Sequence, residues 1–154
     1  MKVIKKQTNS QDCIICGMKN DLGLKAPFYE MEDGSLWTKV TYKSYHQSYP
    51  GRVHGGMITC LLDELIGRAI WIKEPDMWGV TMTINVKFRK PVPYDEELKG
   101  IGRIIESKRR TFTGTGEIYD KEGHLLAEAE AVYFKLPLDK ISEGSNADDV
   151  TELE

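Results

Sequence analysis

The sequence predicts an α+β domain in which one long helix is wrapped by a curved antiparallel sheet of five to six strands. The first observation is a helix-like segment, residues 55–73, that is apolar around most of its circumference. The second is a strand-like alternation from Val80 to Arg89, and the third is the series of strand-like segments that follows it. A helix this apolar must be covered on most sides, and one sheet covers it by curving around it.

The predicted helix begins at about Gly55 and runs to Lys73. Residues 74–76, Glu-Pro-Asp, end it because proline cannot continue the helical hydrogen-bond ladder. Its apolar stripe is broader than that of a helix lying on a protein surface. The residues that form this stripe are Ile58, Leu61, Leu62, Leu65, Ile66, Ala69 and Ile70.

Two strands are predicted before the helix, Ala26 to Glu32 and Leu36 to Tyr42, with residues 32–35 as their turn. Residues 43–53 are expected to form a loop, marked by Tyr49-Pro50-Gly51. After the helix, strict alternation places the apolar and polar residues of the next strand on opposite faces. Its apolar face is Val80, Met82, Ile84, Val86 and Phe88, and its polar face is Thr81, Thr83, Asn85 and Lys87.

The remaining strands are expected to form an antiparallel meander joined by charged turns. Ala127, Ala129 and Ala131 give the last strand a face of small side chains, which suits close packing against a thick helix. The meander strands are Glu97 to Ser107, Thr111 to Tyr119 and His124 to Lys135.

The 154 residues are 40% hydrophobic and carry a net charge of −3. Residues 13–138 are expected to form one folded domain, 1–12 to be flexible, and 139–154 to form an acidic, disordered tail. The chain has no basic bias toward nucleic acid. It also lacks the apolar segment of a signal peptide and the ~18 apolar residues of a membrane span. We therefore expect a cytoplasmic protein with neither a nucleic-acid nor a membrane partner.

Three cysteines, Cys13, Cys16 and Cys60, form no even disulfide framework and are expected to be free thiols in a reducing compartment. Cys13 and Cys16 make half of a zinc motif, but no second pair follows and the histidines stand at no ligand spacing. No metal site is therefore predicted. A redox pair is disfavoured because no βαβ pattern surrounds the motif, which favours a packed N-terminal turn.

A pattern suited to carbonyl chemistry begins at residues 54–56, His-Gly-Gly, and continues to Asp63, two turns along the predicted helix. Glycines let backbone N–H groups approach a ligand, and the first helical turn supplies unpaired donors and the positive end of the macrodipole. A carbonyl oxygen that becomes negative would be stabilised there. Gly56, Cys60 and Gly67 share the face of Asp63, so its carboxylate is expected to look into a crevice. A solvated Asp63 beside an ordinary loop is the alternative.

The spacing of this pattern carries a second prediction. Gly55 and Asp63 stand eight positions apart, which is roughly 12 Å along one helix. They cannot both contact the same ester group. If both are catalytic, the donor comes from one subunit and the carboxylate from its partner, which predicts a two-fold dimer with two sites at the interface.

These motifs resemble those of the hotdog-fold acyl-CoA thioesterases, in the branch similar to the phenylacetate-pathway and human thioesterase-superfamily members. The resemblance covers most of the chain, and the spaced combination is more specific than any single motif. It rests on Cys13-x-x-Cys16-Gly17-x-x-Asn20-x-x-Gly23-Leu24 for the family's N-terminal turn, on Pro50-Gly51-x-Val53-His54-Gly55-Gly56 with Asp63-Glu64 for its active-site helix, and on Val80 to Pro91 for its next strand.

The resemblance implies a hotdog fold over residues 13–138 and thioester hydrolysis at sites between the subunits of a dimer or tetramer. The Gly55 N–H would polarise the thioester carbonyl, and Asp63 of the neighbouring chain would activate water or attack directly. No cofactor is implied, since coenzyme A is part of the acyl-CoA substrate. A thiolate with a pKa of roughly 8.5 leaves readily, so a general acid is not required.

Four neighbouring residues receive narrower roles from the resemblance. Thr81 matches a position where relatives carry a serine or threonine that helps to hold the catalytic water, although a simple strand former is an equal alternative. His54 would shape the helix entrance or donate a hydrogen bond. Gln47 or Ser48 stands near the position of an asparagine in some relatives, and either would touch the acyl group or water. The choice between a general-base and an anhydride pathway stays open.

Other residues are candidates for contact with the substrate. They include Gly56 and Glu64, although for Glu64 an ion pair with Arg68 on the helix surface is the favoured interpretation. Basic side chains in one strand end and one turn are candidates for holding the phosphates of coenzyme A, with ordinary solvated turns as the alternative. These basic residues are Arg89, Lys90, Lys108, Arg109 and Arg110, and the candidates for the acyl-cavity lining are Tyr45, Tyr49, Trp71, Met77 and Trp78.

Two other functions fit parts of the pattern. A non-catalytic acyl-CoA-binding sensor would keep the cleft, but residues 1–25 are too short and too polar for the helix-turn-helix segment that known hotdog sensors carry. A hotdog enoyl-thioester hydratase would need an aspartate closely followed by a histidine on a loop, a pair that the chain is expected to lack. Retention of Asp63 favours turnover over sensing.

Overall fold

The computed structural model describes residues 1–141. Its main element is a seven-stranded sheet, in which every neighbouring pair of strands is antiparallel, and a helix packs across that sheet. The strands are β1 (Val3–Lys6), β2 (Phe28–Met31), β3 (Leu36–Thr41), β4 (Gln47–Tyr49), β5 (Arg52–Val53), β6 (Met77–Phe88), β7 (Glu97–Ser107), β8 (Thr111–Tyr119) and β9 (Leu125–Pro137); the helices are α1 (Gly55–Ala69) and α2 (Leu138–Ile141).

The order of strands in the large sheet is β1-β2-β3-β7-β8-β9-β6, while β4 and β5 form a separate hairpin. The long helix and the antiparallel sheet confirm the hotdog fold that the resemblance implies. The strands predicted on either side of the helix are confirmed to within a few residues. The loop predicted over residues 43–53 is instead a short 3₁₀ turn at Ser44–His46 followed by the β4–β5 hairpin, whose turn places Gly51 at a φ of +80°.

The N-terminal segment adds a strand to the five or six that were predicted. Residues 1–12 were expected to be flexible, yet β1 pairs with β2 along one edge of the sheet. Beyond β1, the Gln7 N–H donates to Phe28 O, and the Asn9 amide donates to the carbonyls of Cys16 and Ala26. Backbone pairing and buried amide side chains hold this polar segment in place. Because these contacts need no apolar side chains, the segment shows no hydrophobic alternation from which the strand could be predicted. Of the predicted tail, Asp139–Ile141 lie in α2, and residues 142–154 lie outside the described residues.

The helix α1 is buried on most sides, as its apolar stripe predicts. Leu61, Leu62, Leu65 and Ile66 have no measurable exposure. The helix ends at Ala69 and continues as a 3₁₀ turn, Ile70–Ile72, slightly before the predicted end. The inward face of β9 is formed by the small residues Ala127, Ala129 and Ala131, all of them buried.

Glycines in the middle of the sheet also let the helix approach closely. A Cβ atom added at Gly102 in β7 would lie 2.6 Å from the Leu65 carbonyl oxygen. One added at Gly114 in β8 would lie 2.6 Å from Ile66 Cγ2. The side chains of α1 therefore occupy the space that sheet side chains would otherwise fill.

The prediction of which residues share a face of β6 is wrong for the residues before Thr83, because the strand contains a β-bulge. Thr81 pairs with Tyr133, but Thr83 pairs with Val132, so Met82 is an extra residue with no partner on β9. The bulge reverses the alternation, and Thr81 therefore shares the helix-facing side with Ile84 rather than lying on the opposite side. Within residues 1–141, no helix combines the length and the apolarity needed to cross a membrane.

Candidate active site

His54 is the N-cap of α1. Its backbone is extended, with φ −61° and ψ 133°, and its Nδ1 accepts a hydrogen bond from the Gly56 N–H at 2.9 Å. This bond satisfies one of the donors that a helix start leaves unpaired. The Gly56 amide is thus used by the cap. The Gly55 N–H, in contrast, has no acceptor among the residues that the structure describes.

Gly55 opens onto a cavity of about 400 Å³ between the β4–β5 hairpin, the start of α1 and the end of β6. Ser48 lies in the wall of this cavity, whereas Gln47 precedes it on β4 and pairs with Val53. The Phe88 ring packs over Gly55, since an added Cβ there would lie 3.4 Å from Phe88 Cζ. The cavity is lined by Ser48, Tyr49, Arg52, Val53, Gly55, Ile58, Phe88, Arg89, Lys90, Pro91 and Val92.

Asp63 lies on α1, partly buried, with one carboxylate oxygen held by two hydroxyl groups. Its Oδ1 accepts hydrogen bonds from Thr81 Oγ1 at 2.8 Å and from Tyr133 Oη at 2.9 Å. The Tyr133 hydroxyl also lies 2.9 Å from the Asp63 backbone oxygen. No donor within residues 1–141 hydrogen-bonds to Oδ2. The carboxylate is therefore fixed in orientation through one oxygen, and the other oxygen is left available.

Tyr133 is a site residue that the sequence reasoning missed. It is buried on β9, stacks on Phe112 with a centroid distance of 4.8 Å, and contacts Gly67 of α1. Burial, followed by the charge of Asp63, raises the pKa of the Tyr133 hydroxyl, so the group stays protonated and acts as a donor. The signal that identifies it is the alanine alternation of β9, whose next inward position after Ala131 is Tyr133.

The Asp63 side chain opens onto a smaller cavity of about 100 Å³. Two of the candidates for the acyl lining, Trp71 and Trp78, lie here with ring centroids 4.9 Å apart. The other lining residues are Glu64, Gly67, Arg68, Gly79, Thr81 and Tyr133. A larger cavity of about 670 Å³ lies on the outer, polar face of the sheet and contains neither Gly55 nor Asp63.

The ion pair between Glu64 and Arg68 forms as predicted, with 2.7 Å between Glu64 Oε1 and Arg68 Nε. It is not on the helix surface, however, because the N-terminal segment covers it and Arg68 is only 6% exposed. Arg68 also donates to Thr8 O and contacts Cys16 Sγ. Burial raises the pKa of Glu64 to about 7 even though the charge of Arg68 opposes this. The pair therefore joins the helix to the N-terminal segment.

The predicted basic residues fall into two groups at opposite ends of the sheet. The Arg89 N–H donates to Leu126 O, whereas the Lys135 N–H donates to Arg110 O. Nine positions of β9 separate these points, or roughly 30 Å. Arg89 and Lys90 line the cavity of Gly55, and Arg52, which the sequence reasoning did not select, lies with them. Lys108, Arg109 and Arg110 are exposed at the far end of the same subunit.

The chain does contain one aspartate closely followed by a histidine, contrary to expectation. Asp120 and His124 lie in the β8–β9 turn, where His124 Nδ1 is 2.8 Å from Asp120 Oδ2. The Asp120 carboxylate also accepts the His124 N–H, and these bonds close the turn. Neither residue lines the cavity of Gly55 or that of Asp63. The pair therefore stabilises the β8–β9 turn.

Within one subunit, Gly55 and Asp63 do not face a common cavity. They stand roughly 12 Å apart along α1, as their spacing predicts. Gly55 lies beside Phe88, the last residue of β6, and Asp63 lies beside Thr81, nearer the middle of that strand. The predicted donor and the predicted carboxylate therefore open onto different cavities of one subunit.

Comparison with solved structures gives the same fold. A thioesterase superfamily protein matches with a TM-score of 0.74 and 28% identity over 81% of this chain, which spans 60% of that protein's length. A hypothetical thioesterase from Streptococcus pneumoniae, solved with coenzyme A, matches with a TM-score of 0.65 and 23% identity, covering 72% of this chain and 84% of that one. The PaaI protein of the Escherichia coli phenylacetic acid degradation operon gives 0.66 and 16%, covering 73% and 80%.

A search of curated proteins found no match to the sequence. The model of the Thioesterase superfamily matches residues 50–127, which is about half of the chain. This range includes the helix start, Asp63 and the bulge of β6, and so contains most of the residues around both cavities. The chain belongs to the thioesterase superfamily.

Proposed function

We propose that the protein is an acyl-CoA thioesterase, which hydrolyses an acyl thioester to the free acid and coenzyme A. The observation that supports this best is the Asp63 carboxylate. Thr81 and Tyr133 hold its Oδ1, and no protein donor among residues 1–141 occupies its Oδ2. A carboxylate whose orientation is fixed in this way is suited to react with a substrate or water molecule bound beside its free oxygen.

In the proposed reaction, Asp63 Oδ2 acts as the base or the nucleophile. As a base it takes a proton from water while the water oxygen attacks the thioester carbonyl carbon. As a nucleophile it attacks that carbon itself and forms an anhydride, which water then cleaves. In both routes the carbon–sulfur bond breaks and the thiolate leaves, so no second acid is needed.

The Gly55 N–H is the proposed oxyanion donor. It is the first amide of α1 and has no acceptor within residues 1–141, and the helix macrodipole adds positive potential at this end. The missing side chain at position 55 lets the thioester carbonyl approach the amide closely. A donor in this position stabilises the negative oxygen of the tetrahedral intermediate.

We propose that the complete site forms between two subunits of a homodimer. Strand β6 is an edge of the sheet, twelve residues long, and it exposes Val80, Met82 and Phe88. A long apolar edge of this kind is typically covered by another strand. If two copies of β6 pair antiparallel about a two-fold axis between Ile84 and Asn85, Phe88 of one copy lies beside Thr81 of the other. This pairing would bring Gly55 next to the partner subunit's Asp63.

The charge around Gly55 is compatible with a coenzyme A carrier. Arg52, Arg89 and Lys90 line the same cavity, and phosphate groups are preferred ligands of such side chains. Arg89 is also 2.6 Å from Glu128 Oε1, so Arg52 and Lys90 are the freer cations. The Streptococcus pneumoniae relative with coenzyme A supports the same assignment.

The direct test is release of free thiol from a panel of acyl-CoAs, followed with a thiol-reactive dye. Wild type should release thiol, and Asp63→Asn should reduce turnover by about a hundredfold or more, because the amide lacks the basic oxygen but keeps the shape. Asp63→Ala should be equally inactive. Asp76→Asn, the same substitution at an exposed position, is the matched control and should retain full activity.

Equal rates for wild type and Asp63→Asn would remove Asp63 from the mechanism. Saturable binding of acyl-CoA without thiol release by the wild type would contradict hydrolysis and favour the sensor function.

A further inference from the structure

The turn that contains Cys13 and Cys16 contacts Glu64 and Arg68, two residues that also line the Asp63 cavity. We propose that Cys13 and Cys16 form a dithiol in which Cys13 is the attacking sulfur and Cys16 the resolving sulfur. The substrates of this dithiol are low-molecular-weight disulfides, which oxidise it to an intramolecular disulfide. The contacts that form the site involve neither Asp63 nor Gly55, so the proposal stands independently of the proposed hydrolysis.

The turn holds the two sulfur atoms close together. Both are free thiols, and each sulfur lies within 4.8 Å of the other and of a Glu64 carboxylate oxygen. The Gly17 N–H donates to Cys13 O at 2.8 Å, which closes the turn. A Cβ atom at position 17 would collide with the Cys13 backbone, so only glycine permits this tight turn.

The two cysteines have different surroundings. Cys13 is partly exposed, and its Sγ accepts backbone N–H groups from Ile15 at 3.3 Å and from Cys16 at 3.5 Å. Cys16 is 1% exposed, and its Sγ lies 3.2 Å from Ser10 Oγ and 3.0 Å from Arg68 Nη2. An external disulfide can therefore reach Cys13, whereas Cys16 is buried and inaccessible to it.

The hydrogen bonds within the turn favour ionisation of Cys13 over Cys16. The hydrogen bond from the Cys16 thiol, assisted by the two backbone N–H groups, lowers the pKa of Cys13 to about 6 although burial and the charge of Glu64 oppose it. The same hydrogen bond and burial raise the pKa of Cys16 to about 12, against the charge of Arg68. Cys13 is consequently the thiolate at neutral pH, and a thiolate is the form that attacks disulfides.

The reaction balances in two exchanges. The Cys13 thiolate attacks one sulfur of the small disulfide, forms a mixed disulfide with it, and expels the other half as a thiolate. Cys16 then loses its proton to solvent and attacks Cys13 Sγ, which expels the second half. Two protein thiols are oxidised to one disulfide, and the small disulfide is reduced to two thiols.

A metal ion is a poorer occupant of the same cluster. Among residues 1–141, only Cys13, Cys16 and Glu64 offer ligands there, and the Arg68 guanidinium already contacts both Cys16 and Glu64. A bound cation would lie beside this fixed positive charge.

The test uses the reduced full chain incubated with oxidised glutathione, quenched with an alkylating reagent and analysed by peptide mass spectrometry. The peptide that contains Cys13 and Cys16 should lose two hydrogens and escape alkylation, while Cys60 should be alkylated. Cys16→Ser should accumulate glutathione on Cys13, because no resolving thiol remains. Cys13→Ser should leave Cys16 unmodified, and Cys60→Ser should behave as wild type.

The unmodified chain provides a second measurement that needs no variant. The rate of Cys13 alkylation by iodoacetamide should rise with an inflection near pH 6. Cys60, whose pKa is raised by burial and by the charge of Asp63, should respond only at much higher pH. Glutathionylation of Cys60 as fast as Cys13, absence of the mixed disulfide in Cys16→Ser, or a Cys13 inflection at or above that of Cys60 would each overturn the proposal.

Discussion

At the scale of single residues, the site depends on how Asp63 is oriented. Thr81 and Tyr133 approach the same oxygen, and the Tyr133 hydroxyl is held in place by a buried ring that stacks on Phe112. Two donors on Oδ1 fix the carboxylate plane and direct Oδ2 away from them. The exposed Thr81 hydroxyl lies at the sheet edge, so buried Tyr133 is the more rigid of the two donors.

Tyr133→Phe should therefore impair turnover without unfolding the protein. The ring keeps its stacking and its contact with Gly67, and the hydroxyl loses its contacts with the Asp63 backbone oxygen and carboxylate. Loss of the hydrogen bond to the charged carboxylate is a change of about 1.5–3 kcal/mol. We expect kcat for acyl-CoA hydrolysis to fall by about tenfold or more, with KM nearly unchanged. Steady-state kinetics and thermal unfolding of the same preparation check this.

Tyr119→Phe is the matched control, since Tyr119 lies on β8 away from both cavities. It should keep wild-type kcat. Wild-type kcat in Tyr133→Phe, or an equal loss in both variants, would contradict a positioning role for Tyr133.

The sequence identifies Asp63 and Gly55 because their spacing on one helix is a local property. It does not identify Tyr133, which is 70 positions from Asp63 and meets it only through strand pairing. It also places the Glu64–Arg68 pair on the helix surface, since nothing local indicates that a polar N-terminal segment covers the pair.

At the scale of elements, α1 packs closely against the sheet because glycines in the sheet leave room for it. Gly102 and Gly116 both lie beneath the helix, but they meet different parts of it. A Cβ at Gly102 would lie 2.6 Å from a backbone oxygen of α1, whereas one at Gly116 would lie 3.0 Å from the Ile66 side chain. Side chains can move aside more easily than helix backbone can.

Gly102→Ala should accordingly destabilise the fold more than Gly116→Ala. We expect a loss of about 2–3 kcal/mol in the free energy of unfolding for the first and about 1 kcal/mol for the second. Urea denaturation of the three proteins, followed by tryptophan fluorescence, measures the difference. Equal stability of the two variants would mean that the helix is free to move away from β7.

Strands bounded by recognisable turns were predicted closely. The charged turns at residues 108–110 and 120–123 indicate the end of β7 and both ends of β8. The bulge at Met82 was invisible, because an extra residue leaves the amino-acid alternation unchanged while reversing the faces. Strand β1 was missed because all four of its residues are exposed and only its backbone pairs.

At the scale of the whole molecule, we expect each subunit to hold only half of each site. Gly55 and its basic cavity lie beside the last residue of β6, and Asp63 with its two hydroxyl donors lies beside the middle of that strand. An antiparallel pair of β6 edges would complete two equivalent sites from four halves. Activity should consequently depend on the two subunits supplying different groups.

Subunit complementation tests this claim most directly. Gly55→Pro removes the N–H without breaking the start of the helix, because proline is accepted at the first helical position and His54 already has the extended backbone that must precede it. Gly55→Ala, which adds a Cβ but keeps the N–H, is the control and should retain more activity than Gly55→Pro. Asp63→Asn and Gly55→Pro chains should each be nearly inactive alone.

When these two inactive chains are co-expressed with different tags and the mixed dimers are allowed to form at random, each heterodimer contains one intact site. We expect recovery of about a quarter of wild-type thiol release in the random mixture, and about half in purified heterodimers. Verified heterodimers with no activity, or full hydrolysis by a monomeric preparation, would contradict this expectation.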